Sequence, residues 1–189
     1  MNIDQINRYW ADTEEKLYTY KLSQLDNPKI LNSTIIFLTK CGLPQSCAPG
    51  LSFQGYGDTT SLSPNQVFNI DIEELNDYIM IGSNGCGDPV CIDLNNENEI
   101  VYLNHDNYFE RIYMNGSVLQ LTECIIRYQE FHASLNPRFE NKTFIKRKFS
   151  DEEFSRVCEE FKAIDNKCLL DNNCWKAELE YLLWERDNE

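Results

Sequence analysis

His105 and Asp106 stand side by side, the pairing with which a metal-dependent phosphohydrolase holds its ion, but the chain's only other histidine is His132. Such a centre needs further imidazoles, so a turn-forming pair accounts better for the two residues. Cys86 would be a nucleophile if an imidazole lowered its pKa beside an oxyanion hole. His105 lies one hairpin away, yet two residue types in proximity are not a motif. The run Gly82-Ser83-Asn84-Gly85-Cys86-Gly87 has the glycines of a phosphate loop without its lysine, and an aspartate follows it. Asp93, Asn95 and Glu97 begin like a calcium loop, but Asn98 replaces the required glycine and Asn104 the closing glutamate. Glu73 with Glu74, or Asp88 with Asp93, would make an acid and base pair only at a separation the sequence does not set. The chain is therefore read as a binding protein with no catalytic residue, metal or cofactor. The alternative, a small hydrolase using His105, is carried forward.

Charge is the other chemical feature. From Cys41 to Glu110 there is no lysine or arginine, against eleven carboxylates: Asp58, Asp71, Glu73, Glu74, Asp77, Asp88, Asp93, Glu97, Glu99, Asp106 and Glu110. The whole chain carries a net charge of −14. An anionic surface repels phosphates and speeds encounter with basic proteins. Nucleic acid is excluded as the expected partner, and a basic protein is favoured. The expected partner-binding residues are Asp71, Glu73, Glu74, Asp77, Asp88, Asp93, Asp106 and Glu110.

The 189 residues are 42% apolar and 25% charged, the composition of one globular domain. No apolar run reaches membrane-spanning length and the first residues lack a signal-peptide core, so a cytoplasmic protein without membrane contacts is expected. Eight cysteines at positions 41, 47, 86, 91, 124, 158, 168 and 174 include no C-x-x-C pair. Cys124 and Cys158 fall on apolar helical positions, where a reduced cysteine acts as a small hydrophobe. Reduced core thiols are expected, with no disulfide or zinc role.

The elements that must position these groups follow from periodicity. Ile6, Tyr9, Trp10, Leu17, Tyr20 and Leu25 give an imperfect helical stripe. A second helix is predicted to start at Pro28 and to stop at Gly42, with Pro44 barring continuation. Residues 45–66 read as loop with a short strand at 51–53, and strands are predicted at 67–72, 78–83, 89–94, 100–104 and 111–114. Their short turns force antiparallel pairing in a meander. Ser117 with Gln120 and Ser150 with Glu153 make capping boxes that open two helices. A last helix begins near Asp171 or Asn172 and buries Trp175, Leu179, Leu182 and Leu183. The basic stretch 138–148 lies between the first two. The expected architecture is α+β, a single domain. A curved antiparallel sheet of about five to six strands has N-terminal and C-terminal helices packed around it.

Phe37-Leu38-Thr39-Lys40-Cys41-Gly42-Leu43-Pro44 resembles the F-L-x-x-x-G-L-P signature near the start of SUKH-superfamily domains, particularly a bacterial immunity-protein subgroup. The run from Ile81 through the glycine turn to Asp93 resembles their strand, turn and strand. Val101 to Asp106 resembles the next strand, and Asn115-Gly116-Ser117 through Tyr128 the closing turn and helix. The ordered set spans about residues 30–131, with a C-terminal helical extension at about 150–187. The resemblance implies a single domain without catalytic residues. In bacteria such a domain is an immunity protein that binds and neutralises a cognate polymorphic toxin, here a basic one such as a nuclease. The alternative it implies is a scaffold or regulatory protein of the same fold. Monomer or weak dimer is expected.

Overall fold

Short-range chemistry sets most of the helix ends. The computed structural model describes residues 1–56, 60–135 and 149–188; the basic stretch 138–148 and Asp58 lie outside them. Helix α1 (Ile3–Ala11) starts on an Asn2–Gln5 capping box. Helix α2 (Asn32–Lys40) starts four residues later than Pro28, because Ile30 N–H donates to the Asn27 carbonyl and closes a turn first. It stops at Gly42, whose N–H donates to the Phe37 carbonyl at φ 79°. A Cβ there would lie 2.4 Å from the Tyr18 carbonyl oxygen, so only glycine fits.

That contact marks the first departure from the predicted pattern. Leu17–Tyr18 is not helical but strand β1, paired antiparallel with β2 (Leu43–Pro44). The second departure is at residues 67–72, predicted as a strand. Ser63, Pro64 and Gln66 open helix α3 (Pro64–Phe68) with a capping box and proline in its first turn, and Asn69 ends it in the left-handed region.

Five strands form an open antiparallel meander in the order β3 (Ser52–Phe53), β4 (Tyr78–Ser83), β5 (Pro89–Asp93), β6 (Ile100–Asn104) and β7 (Glu110–Asn115). Alternation divides their side chains between two faces. Ile79, Ile81, Val90, Ile92, Ile100 and Met114 enter the main core. There they meet α1, α2 and the three later helices, α4 (Val118–Leu135), α5 (Asp151–Ile164) and α6 (Cys174–Asn188). Met80, Cys91, Val101 and Leu103 enter a smaller cluster closed by Leu75. The fold is a single α+β domain with a thick helical layer on one face and a thin cover on the other.

The capping box of α5 forms as predicted, Ser150 N–H to Glu153 and Glu153 N–H to Ser150 Oγ. At α4 Gln120 N–H donates to Ser117 Oγ at 3.3 Å as predicted and Ser117 Oγ donates to Gln120 Oε1 at 3.2 Å, while Gln120 Nε2 donates to the Ile164 carbonyl at 2.9 Å and ties two helices together. Helix α6 begins at Cys174, after Asn172 turns through φ 65°, a little past the predicted start. Among the described residues no helix is long and apolar enough to cross a membrane.

Candidate protein-binding face

The thin cover is organised by one amide. Asn65 donates to the Ile72 carbonyl at 2.7 Å and to Asn76 at 3.0 Å, and accepts from Ile72 N–H at 3.1 Å. These bonds fold residues 69–77 back over the sheet and drive Leu75 into the small cluster. The flanking positions must then point outward, and Asp71, Glu73 and Glu74 are all exposed. Phe109, from the turn between β6 and β7, packs on the same cluster. Asp106, in the same turn, is therefore brought to the rim of the cover and is exposed, while Glu110, also exposed, alternates with Arg111 onto the face of Ile112 and Met114. Among the described residues no lysine or arginine forms an ion pair with Asp71, Glu73, Glu74 or Glu110.

Tyr108 stands on that rim. It and Phe109 are consecutive left-handed residues, φ 52° and 58°, a conformation that bulky side chains rarely adopt. The double turn buries Phe109 against the cluster and leaves Tyr108 96% exposed.

The other three predicted carboxylates have internal employment. Asp77 is half-buried and bonded to Lys29 at 3.2 Å, and this bond with that from Asn95 holds its carboxyl below the usual carboxylate range. Asp88 is buried, and its Oδ1 accepts the His105 N–H at 3.0 Å and meets His105 Nδ1 at 2.6 Å. Asp93 is 1% exposed and bonded to Arg111 Nε at 2.7 Å. A buried carboxylate needs such partners, so Asp88 and Asp93 brace turns and present no charge to a partner.

The candidate chemistry looks different once placed. Asp88 fixes His105 through Nδ1, and His105 Nε2 lies 3.4 Å from Asp106. Cys86 shares the Asn84 turn, its N–H bonded to Asn84 Oδ1 at 3.0 Å, but no hydrogen bond joins its thiol to His105. Asp93 caps its turn by accepting from Asn95 N–H and the Asn96 amide, the geometry of an Asx turn. Among the described residues no group of three His, Cys, Asp or Glu converges as metal ligands would.

All eight cysteines are free thiols, Cys86 exposed, Cys158 half-buried and the rest buried. Burial pushes Cys41 up to about 11 and Cys47 up to about 12, and holds Cys91 well above its usual value. Thiolate is the reactive form, so alkylation by N-ethylmaleimide at pH 8 is expected to show one fast site. Cys86→Ser should abolish that fast phase, with Cys158 following slowly and the other six labelling only after denaturation. Rapid labelling of Cys41 or Cys47 in the native protein would contradict their burial.

Comparison with known proteins gives no match. No family model, no curated protein and no solved structure matches it. Tyr108 and the left-handed turn that exposes it were not foreseen. The signal available was the run Asn107-Tyr108-Phe109, in which alternation fails between two strands. The sorting of Asp88 and Asp93 from Asp71 had no local signal, because their partners lie 17 and 18 residues further along.

Proposed function

We propose that this chain is a non-catalytic protein-binding module that neutralises a basic partner, as an immunity protein neutralises its toxin. The observation that carries this reading is the anionic cover. Asp71, Glu73 and Glu74 stand exposed on it with no cation of the described residues paired to them, and Tyr108, 96% exposed, adjoins it beside Phe109. Charge of one sign around an aromatic anchor is the pattern of a steered protein interface: carboxylates speed the encounter, and the ring supplies contact area. The ordered resemblance to SUKH immunity proteins supports the same reading, and a toxin that is a nuclease would supply the basic surface.

Affinity capture at low and then high salt, with a basic protein encoded beside this chain as the expected product, provides the partner for the decisive measurement. With it, the triple substitution Asp71→Lys, Glu73→Lys, Glu74→Lys should slow association by roughly tenfold or more and flatten its salt dependence. Tyr108→Ala should instead raise the dissociation rate about tenfold, as loss of an aromatic anchor does. Unchanged rates in both variants would remove the cover from the interface. A partner that is no toxin would favour the scaffold reading.

The hydrolase reading draws on the 2.6 Å contact between Asp88 and His105, which orients an imidazole as a general base is oriented. A hydrolytic activity lost in His105→Gln, with folding retained, would restore it.

A further inference from the structure

On the side of the sheet away from the anionic cover, α6 presents a second and separate surface. Its inward face is Trp175, Leu179 and Leu182, all buried. At about 100° per residue, Tyr181 and Trp184 project almost opposite to that face. They are 54% and 59% exposed, and their rings stack on each other, centroids 6.0 Å apart and 21° from parallel. Ala177 and Asn188, both exposed, extend the same stripe by one turn at each end. Of the three tryptophans, Trp10 is 3% exposed and Trp175 wholly buried, so Trp184 alone meets solvent. A helix whose outer face carries stacked Tyr and Trp has spent large apolar area on water, which marks an interaction surface.

The charges beside the stripe specify what covers it. Glu180 and Asp187 flank it, with side chains 63% and 55% exposed. The neighbouring cations are already engaged: Lys176 with Asp171 and Glu180, Arg186 with Asp151 and Asp187. A second copy of this chain would bring Glu180 and Asp187 against their own counterparts, on molecules of net charge −14. An arginine side chain meets both features at once, its guanidinium over the indole and its N–H groups on the carboxylates.

We propose that the Tyr181–Trp184 face of α6 is a docking site for an arginine-bearing segment of a basic protein. It is a contact distinct from the anionic cover and does not depend on it.

Hexa-arginine peptide is the probe, with hexa-lysine as control at equal charge. Acrylamide quenching reads Trp184 directly, since the other two indoles are buried. Hexa-arginine at physiological salt should protect Trp184 from acrylamide, and hexa-lysine should do so several-fold less well. Tyr181→Ala and the pair Glu180→Gln, Asp187→Asn keep the fluorophore, and each should weaken protection by about three- to tenfold, the range of a cation–π or exposed charged contact. Glu73→Lys with Glu74→Lys should leave protection unchanged, which separates this site from the cover. Peptide that binds by calorimetry while Trp184 stays fully quenchable would overturn the proposal and leave the anionic cover as the site. A concentration-dependent dimer in which Trp184 is protected without peptide would also overturn it, assigning the face to a second copy. Equal protection in the Tyr181→Ala variant would do the same.

Discussion

Asp165→Ala is expected to cost on the order of 3–5 kcal/mol of stability, enough to lower the melting temperature by about 10 °C in a chain of this size. Asp165 closes α5 and is buried. Its Oδ2 accepts from Tyr113 Oη at 2.8 Å, Gly116 N–H at 3.0 Å and Asn115 Nδ2 at 3.2 Å, and its Oδ1 accepts from Lys167 N–H at 3.0 Å. Asn115 passes the connection on, accepting from Trp175 Nε1 at 2.7 Å. One carboxylate therefore joins the end of α5, the end of β7 and the start of α6. Alanine leaves several buried donors without an acceptor, and each loses what water supplied in the unfolded chain. Burial and the bond to Asp165 already raise the Tyr113 phenol well above its usual value, the expected state of a donor committed to a carboxylate. Asp165→Asn keeps an acceptor oxygen and should cost roughly half as much. Urea unfolding checks both: a loss below about 1 kcal/mol for Asp165→Ala would mean that the donors find other acceptors.

The parts of this fold legible in the sequence are those decided by neighbours in the chain. Strands β4, β5, β6 and β7 fall close to the predicted segments because alternation and Asn/Gly turns are local signals. The Ser150 box marked α5 for the same reason. What failed needed distant partners. Leu17–Tyr18 is a strand only because Leu43–Pro44 lies beside it, and its spacing fits the tail of a helical stripe equally well. Helix α3 is too short for a period to show, and Val67 and Ile70 have strand propensity that the capping box overrides. The binding face shows the same division. The run of carboxylates without lysine or arginine is plain in the sequence. Burial separates Asp88 and Asp93 from Asp71, Glu73 and Glu74, and burial is set by His105 and Arg111 across the sheet. Tyr181 and Trp184 were not foreseen: the α6 stripe drew attention to Trp175, Leu179, Leu182 and Leu183, and the ring stack on the outer face shows only in the structure.

Arg111 tests that division most severely. It is the first cation after Lys40, and on the strand register it stands beside Leu103, on the sheet face of the thin cover. Its Nε donates to Asp93 at 2.7 Å and its Nη2 to Glu99 at 2.5 Å, and Lys167 also reaches Glu99 at 3.2 Å. Arg111→Met removes the only cation bonded to Asp93 among the described residues, and should destabilise the protein by about 3–5 kcal/mol at pH 7. Adding Asp93→Asn to Arg111→Met should recover much of the loss, because an amide keeps an acceptor for the Asn95 N–H and needs no cation. Equal losses in the single and double variants, read by urea unfolding at pH 7, would show that Arg111 acts through packing alone. A recovery in the double variant would establish that the pairing of one arginine with a carboxylate 18 residues earlier is what removes Asp93 from the anionic surface.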